Sequence, residues 1–188
     1  MEHRNDRYDA ALRRNLAEAN NAILKRRALI GLHSLKSAHG LDFFTVVAHA
    51  LYNDILSHSM KLFERSGQTA SFWYLFKCDQ AAAKSAAEVR GVAISDLEAM
   101  SEKLKPVRDQ THFHIDKDAV LNPRAIWIDA MITGDQLGHA LEGVYAVMSE
   151  LHFIKRGIRM ALPDYDGTDA AKIVLAYKQV NPDVPIAI

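Results

Sequence analysis

The chain is organised around one segment of eleven residues, Val107-Arg108-Asp109-Gln110-Thr111-His112-Phe113-His114-Ile115-Asp116-Lys117. It contains an arginine, a lysine, two histidines and two aspartates, which are groups suited to proton transfer or phosphate binding. The residues before it, Ser95 to Lys105, are predicted to form a helix with an apolar stripe at Leu97, Met100 and Leu104. That stripe continues into the segment at steps of three and four residues, at Val107, Thr111 and His114, which predicts that the segment is also helical. Pro106 interrupts this pattern. Either the helix kinks there, or a second helix begins with Pro106 in its first turn.

Outside this segment, apolar residues at helical spacing predict helices on both sides. The strongest pattern runs from Leu41 to Glu64 and is stopped by Ser66-Gly67. Another helix is predicted from Thr69 to about Val89, and it is aromatic at first and then rich in alanine. Two capping boxes, each a Ser or Thr followed three residues later by Glu or Gln, predict further helix starts: Ser95 with Glu98, and Thr133 with Gln136.

The predicted fold class is all-α, because no convincing strand pair, repeat or low-complexity tract accompanies these helices. We expect a helical bundle of about four long helices plus a short C-terminal helix from Thr168 to about Gln179. By its length the chain is predicted to be a single domain, 1–188, in which 179–188 form an irregular tail. The aromatic group Phe72-Trp73-Tyr74-Phe76 is expected in the core or at a dimer interface, since no basic residue is interleaved with it.

Charge and composition limit the range of functions. Lys plus Arg equals Asp plus Glu, at 23 each, so nucleic acid would have to bind through a local patch. The best candidate patch is Lys25-Arg26-Arg27, although a solvated helix face is the favoured interpretation of it. With Cys78 as the single cysteine no internal disulfide is possible, and no signal peptide or membrane span is evident. We therefore expect a cytoplasmic protein with no membrane association.

An arginine followed by a histidine, with four to six residues between them, is a pattern that occurs easily by chance. Arg108 with His114 and Arg27 with His33 both match it in this chain. The surrounding residues distinguish the two matches. Asp109 directly follows Arg108, and His114 closes the helical stripe and opens a His-x-Asp-Lys sequence. The first match is therefore the candidate functional motif, and the second serves as its internal control.

The motif Arg108-Asp109-x4-His114-x-Asp116-Lys117 resembles the signature of the HEPN superfamily, and in particular its abortive-infection branch. Residues 50–56 and 69–75 are loosely similar to the second and third helices of that branch, so the resemblance covers roughly 41–151. It implies a HEPN-like up-and-down helical bundle and a metal-independent endoribonuclease of toxin or phage-defence type. It also implies a homodimer with the Arg-His site at its interface, an RNA substrate, a possible antitoxin protein as partner, and no cofactor.

The residue types themselves suit RNA cleavage through the 2′-hydroxyl, which needs a base, an acid and positive charge on the phosphorane. Histidine titrates near neutrality, and arginine donates two parallel hydrogen bonds to a phosphate. The candidate catalytic residues are Arg108, His114 and Asp109, and the candidate RNA or phosphate contacts are His112, Lys117 and Asp116. On a straight helix Arg108 and His114 would point about 120° apart. This separation favours a site completed by a second chain.

Two other interpretations remain open. A HEPN-like scaffold without catalytic activity, binding RNA or a partner protein, would use the same residues. A metal-dependent hydrolase would use His112, His114 and Asp116 as ligands, in a spacing similar to the His-x-His-x-Asp-His signature of metallo-β-lactamase-like enzymes. That second reading is disfavoured because Lys117 occupies the final position and no predicted strand precedes the motif. Buried or solvent-facing histidines and surface charge pairs are the non-functional alternatives for the same residues.

Overall fold

The structure, a computed structural model, describes residues 2–33, 42–112 and 122–180. Within those ranges every regular element is helical, which confirms the all-α class. They form eight α-helices: α1 (Glu2–His33), α2 (Asp42–Phe63), α3 (Phe72–Cys78), α4 (Gln80–Val89), α5 (Ile94–Val107), α6 (Pro123–Ala130), α7 (Gly134–Arg156) and α8 (Thr168–Val180). A π-helical turn, Arg108–His112, follows α5 directly. The expected count of about four long helices and one short one is not confirmed.

These residues group into two compact units. Unit 1 comprises Met1–Ala19 and His58–Ala161, and unit 2 comprises Asn20–Ser57 and Leu162–Ile188. Two of the three boundaries fall inside helices, so α1 and α2 each contribute residues to both units, and the third lies between α7 and α8. That the whole chain forms a single domain remains a prediction.

The core of unit 1 lies where α7 packs against α4 and α5. Apolar residues at helical spacing form one face of α7. Leu137, Leu141, Val144, Met148 and Leu151 are buried on it, whereas Ile154 at its end is exposed. The small side chains of α4 allow the helices to approach closely. Its buried residues are Ala83, Ala86 and Ala87. Helix α7 is therefore fixed along most of its length by apolar burial, the dominant stabilising effect in a core of this kind.

The aromatic group at the start of α3 belongs to this core. Phe72, Trp73 and Phe76 are buried and pack edge-to-face or tilted against one another, with ring centroids 5.0–6.4 Å apart. The Trp73 indole N–H donates to the Ser101 hydroxyl at 2.8 Å, which satisfies its polar atom inside the core. The core interpretation of this group therefore holds, and these three rings are not a surface for a second chain.

Unit 2 has a smaller core around Leu32. Phe44, Val47, Leu51 and Ala170 pack against that side chain. Phe44 also meets Tyr177 of α8 edge-on, with ring centroids 6.5 Å apart. The apolar residues in the first half of α2 are thus only partly buried, although they keep the helical spacing of the buried residues in its second half.

Asp79 divides the helix predicted from Thr69 to Val89 into α3 and α4. Its backbone leaves the helical region, with φ −146° and ψ 80°, and its side chain accepts a hydrogen bond from the Ala82 N–H. Aspartate is a favoured N-cap because its carboxylate satisfies one of the free N–H groups of the first turn. The apolar pattern alone did not indicate this break, since both halves keep helical spacing.

The two predicted capping boxes have different outcomes. Thr133 and Gln136 form the reciprocal pair, with the Gln136 N–H donating to the Thr133 hydroxyl and the Thr133 N–H donating to the Gln136 side chain, both at 3.1 Å. The Ser95 prediction was wrong, because α5 begins at Ile94 and its N-cap is Ala93, without a side-chain capping bond. A short apolar run at 125–128 is helical and lies within α6, which is capped by Asn122.

Pro106 lies inside the last turn of α5, and the helix continues through it. Proline has no N–H to donate, and its ring crowds the carbonyl one turn back, so the regular hydrogen-bond ladder is interrupted there. The chain continues in the wider π-helical spacing from Arg108 to His112. The expectation of a second helix beginning at Pro106 was wrong, because α5 runs through this residue to Val107, and the kink remains a prediction.

The C-terminal helix matches its prediction closely, ending at Val180 rather than Gln179. Residues 179 and 180, assigned to the tail, are therefore helical, and the rest of the predicted tail lies outside the described residues. None of the described helices combines the length and the apolar character needed to cross a membrane.

Candidate functional site

Arg108 is the first residue of the π-helical turn, directly after α5. The wider winding changes the angular relation between positions from Arg108 to His112, and the separation of about 120° between Arg108 and His114 remains a prediction for a straight helix. His114, Asp116 and Lys117 lie outside the described residues. For His112 only the backbone, the end of the π-turn, is described.

The guanidinium of Arg108 is held by two carboxylates. Its Nη1 forms an ion pair with Oε2 of Glu64. Its Nε and Nη2 lie 2.7 Å and 2.6 Å from Oδ1 of Asp109, so this oxygen accepts from one edge of the guanidinium. Both acids and the arginine belong to unit 1. The predicted role of Asp109 in orienting Arg108 thus has a geometric basis, whereas Glu64 was not singled out from the sequence.

Asp109 has a second cationic partner. Its Oδ2 accepts a hydrogen bond from the Lys105 ammonium at 3.1 Å, one turn earlier on α5. Burial by itself would raise the pKa of the Asp109 carboxyl, but the hydrogen bonds from Arg108 and Lys105, and their charges, lower it below its usual value. Asp109 is therefore an anion near neutral pH and can anchor the arginine.

Arg108 and Glu64 together line two cavities in unit 1. One, of about 420 Å³, has Met60, Phe63 and Leu104 among its apolar lining residues. The other, of about 680 Å³, is lined mainly by polar and charged side chains. Its charged lining residues are Arg14, Glu18, Lys61, Glu64, Arg108 and Asp109. Three basic and three acidic side chains line the larger cavity, and three basic against two acidic side chains line the smaller one, so neither has the large excess of positive charge of a general polyanion site.

Arg65, which lines the smaller cavity, also contacts several neighbouring side chains. It forms ion pairs with Glu102 at 2.9 Å and Glu98 at 3.6 Å, and its guanidinium lies 4.9 Å from the ring centre of Trp73. A guanidinium over an indole face is a favourable cation–π contact. Arg65 therefore connects the end of α2 to α3 and α5, which stabilises the wall of the cavity.

A second buried charge cluster, which the sequence analysis did not find, lies at the larger cavity. Oε2 of Glu18 is 2.5 Å from Nδ1 of His58, and the carboxylate also pairs with Arg14 and Lys61. Burial would raise the pKa of Glu18, but the hydrogen bond from His58 and the surrounding positive charges lower it. The sequence feature that could have indicated this cluster is the presence of two polar residues, Asn15 and Glu18, on an otherwise apolar face of α1.

In the control pair, Arg27 with His33, the arginine has a structural role. Nη1 of Arg27 donates to the carbonyl oxygens of Pro163 and Tyr165, at 3.3 Å and 3.0 Å, and so holds the loop before α8. The neighbouring Lys25 forms an ion pair with Asp54. Residues 25–27 are half-buried, and two of them make these contacts within unit 2, so the favoured interpretation of a solvated helix face describes them only in part.

The metal-site alternative depends on residues that are mostly outside the described ranges. In the part of the chain that the structure describes, no group of three or more His, Cys, Asp or Glu side chains is placed to hold a metal ion. His112, His114 and Asp116 therefore remain a hypothesis from the sequence.

The fold and this site define an all-α protein with a partly buried, carboxylate-held arginine beside two cavities. Comparison with protein-family profiles, with curated protein sequences and with solved structures gave no match for this chain.

Proposed function

We propose that this chain is a HEPN-type, metal-independent endoribonuclease of the toxin or phage-defence kind. In this proposal Arg108 binds the scissile phosphate, His114 transfers a proton, and Asp109 orients the arginine. The observation that supports it most is the setting of Arg108. It begins a π-helical turn, which is a local distortion often associated with function, and it lines two cavities while two carboxylates fix its guanidinium.

The proposed reaction is an internal transesterification. The 2′-oxygen of the RNA attacks the adjacent phosphorus, the bond from phosphorus to the 5′-oxygen breaks, and a 2′,3′-cyclic phosphate and a 5′-hydroxyl result. The proton leaves the 2′-hydroxyl for a base, and an acid supplies one to the 5′-oxygen. Arg108 would stabilise the charge on the phosphorane oxygens, and His112, Asp116 and Lys117 would contribute secondary contacts.

A homodimer is part of the proposal. The reaction needs both an acid and a base, whereas each chain supplies only one proposed catalytic histidine, His114. Two chains together would supply both groups. The aromatic group of α3 does not provide the dimer surface, since it is buried in unit 1. An antitoxin protein that masks the site would be the expected regulator of such an enzyme.

The second candidate function is a non-catalytic scaffold that binds RNA or a partner protein. The engagement of Arg108 by both Glu64 and Asp109 favours the form that binds a partner protein, because two carboxylates offset the positive charge that an RNA phosphate would meet. The two candidates differ in one measurable respect, which is whether the purified protein cuts RNA.

Cleavage of total RNA in EDTA separates the candidates. We expect the parent to cut, and His114→Ala and Arg108→Ala to lose about a hundredfold to ten-thousandfold in rate, as expected when a positioned acid, base or phosphate ligand is removed. The variants, purified in parallel, also measure contaminating ribonuclease. Arg13→Ala, on the exposed face of α1, and His33→Ala are the matched controls and should cut at the parent rate.

Subunit mixing tests the shared site directly. When the parent is allowed to exchange subunits with an excess of the His114→Ala protein, its cleavage should be lost, because a mixed dimer retains only one of the two histidines that serve as acid and base. Equal cleavage by the parent, Arg108→Ala and His114→Ala would reject the catalytic assignment. RNA binding without cleavage by the parent would support the scaffold instead.

A further inference from the structure

We propose that Glu64 is a positioning residue for Arg108, fixing the guanidinium in the orientation in which it meets the scissile phosphate. This inference rests on the proposed function and extends its site to the end of α2. Its basis is an ion pair between residues that are far apart in sequence and have side chains only 22% and 17% exposed.

The contacts of Arg108 leave a defined set of donors for a ligand. A guanidinium has five N–H groups in one plane. Among the described residues, three of these groups are used, by Asp109 at Nε and Nη2 and by Glu64 at Nη1. One N–H remains on each terminal nitrogen. Two such N–H groups can bind two oxygens of one phosphate in parallel, which is the strong, oriented mode of arginine recognition.

Glu64 is itself immobilised through both its backbone and its side chain. It directly follows α2, and its carbonyl oxygen accepts a hydrogen bond from the Ser71 hydroxyl at 2.5 Å. The second carboxylate oxygen, Oε1, accepts the Ser66 N–H at 3.1 Å. The position of the acid is therefore set by the turn that ends α2, and it can transmit that position to Arg108.

Without Glu64, Arg108 would be held only on the edge that contacts Asp109, its neighbour in the chain. The guanidinium would then sample other orientations, and its two remaining donors would no longer be aligned before the phosphate arrives. Preorganised groups act mainly on the transition state, so the loss falls on kcat rather than on ground-state affinity. A carboxylate that simply competed with phosphate would have the opposite effect, since its removal would strengthen RNA binding.

The experiment compares Glu64→Ala, Glu64→Gln and the parent in RNA cleavage and in binding of a fully 2′-O-methylated RNA of the same sequence, which cannot be cut. Glu64→Ala should lower kcat about tenfold to a hundredfold, with the Kd for the methylated RNA within about twofold of the parent value. Glu64→Gln, which keeps one acceptor for Arg108, should be intermediate. Glu98→Ala removes an ion-pair partner of Arg65 instead and should behave as the parent.

A second readout does not depend on activity. In nitrogen-15 NMR spectra, rotation of the Arg108 guanidinium should be slow in the parent and in Glu98→Ala, and fast in Glu64→Ala. Thermal melts show whether each variant folds. If Glu64→Ala does not fold, Glu64→Gln is compared with the parent instead. Tighter RNA binding with unchanged kcat in Glu64→Ala, or fast rotation already in the parent, would overturn the positioning role. Absence of RNA cleavage by the parent would reject the proposed function and, with it, the role of this orientation in phosphate binding, and the NMR comparison would still decide whether Glu64 fixes the guanidinium of Arg108.

Discussion

Gly31 and Gly167 bring two stretches of backbone into direct contact in unit 2. A Cβ atom at Gly31 would overlap the carbonyl oxygen of Gly167, and one at Gly167 would overlap the carbonyl oxygen of Arg27. Gly167 also has φ +82°, a conformation that side chains strongly disfavour. The same loop is held by the Arg27 guanidinium, so α1 and the loop before α8 are tied by backbone proximity and by hydrogen bonds.

Substituting either glycine by alanine should destabilise the protein, because backbone atoms cannot move aside as a flexible side chain would. We expect Gly31→Ala and Gly167→Ala each to lower the free energy of unfolding by about 1 to 3 kcal/mol, the usual range for overpacking. Gly67→Ala is the matched control, since nothing lies within 4 Å of its added Cβ. Urea unfolding measures all three. A loss no greater than that of Gly67→Ala would contradict the close approach.

At the scale of the helices, the two capping boxes show how a local motif depends on where the helix begins. Thr133 is the N-cap of α7 and makes both bonds of the motif with Gln136. Ser95 has the same sequence relation to Glu98, yet it is the second residue of α5 and makes no capping bond. The motif requires its first residue to lie outside the helix, with an extended backbone, and Ser95 is already inside it.

Alanine substitution at Thr133 and at Ser95 should therefore have different effects on the free energy of unfolding. Thr133→Ala removes a satisfied cap and should lower the free energy of unfolding by about 1 kcal/mol. Ser95→Ala should change it by less than about 0.5 kcal/mol, as is usual for a surface position without a special contact. Chemical denaturation of the two variants tests the pair. A similar loss at both positions would mean that Ser95 caps α5 after all.

At the scale of the molecule, buried or partly buried carboxylates with basic partners recur across unit 1. Asp9 pairs with Lys155 and Arg156, and the hydrogen bond from Lys155 is the largest influence lowering the pKa of its carboxyl. Glu150 pairs with Arg90 and Arg159, and the hydrogen bond from Arg159 lowers its pKa in the same way. With Glu18, these acids connect helices through charge as well as through apolar burial.

These lowered pKa values predict a loss of stability in acid. The unfolded chain has ordinary values, near 3.8 for Asp and 4.5 for Glu, so in acid it binds more protons than the folded chain does. The stability that these acids contribute is complete above those values and is lost as the pH falls through the lower folded values. The urea midpoint should therefore be level from pH 7 to about pH 5 and then decline.

A charge-removing variant makes this test specific. Glu18→Gln should be less stable than the parent at pH 7 and should lose less additional stability between pH 5 and pH 3, because the titrating group is gone. Glu88→Gln, at an exposed position of α4, should keep the pH dependence of the parent. An unchanged decline in Glu18→Gln would show that Glu18 does not contribute to the acid sensitivity.

Several features were predictable from the sequence because their causes are local. The helical class, the extent of α8 and the start of α7 follow from apolar periodicity and from a capping motif, each of which depends on residues within a few positions of one another. The choice of Arg108 and Asp109 as a candidate pair also rested on adjacent residues, and the two side chains are in contact. His114, the other half of the motif, lies outside the described residues and remains a prediction.

Other features were decided only by the tertiary structure. Glu64 was visible as the last residue of a predicted helix, but its contact with Arg108 depends on how α2 and α5 pack. The pairing of Glu18 with His58, and the approach of Gly31 to Gly167, likewise join residues from distant parts of the chain. Periodicity determines which face of a helix is apolar, whereas it does not determine which polar residues of two helices meet at their edges. Sequence therefore determined the helices and the arginine of the site, and packing determined the carboxylate that holds that arginine in place.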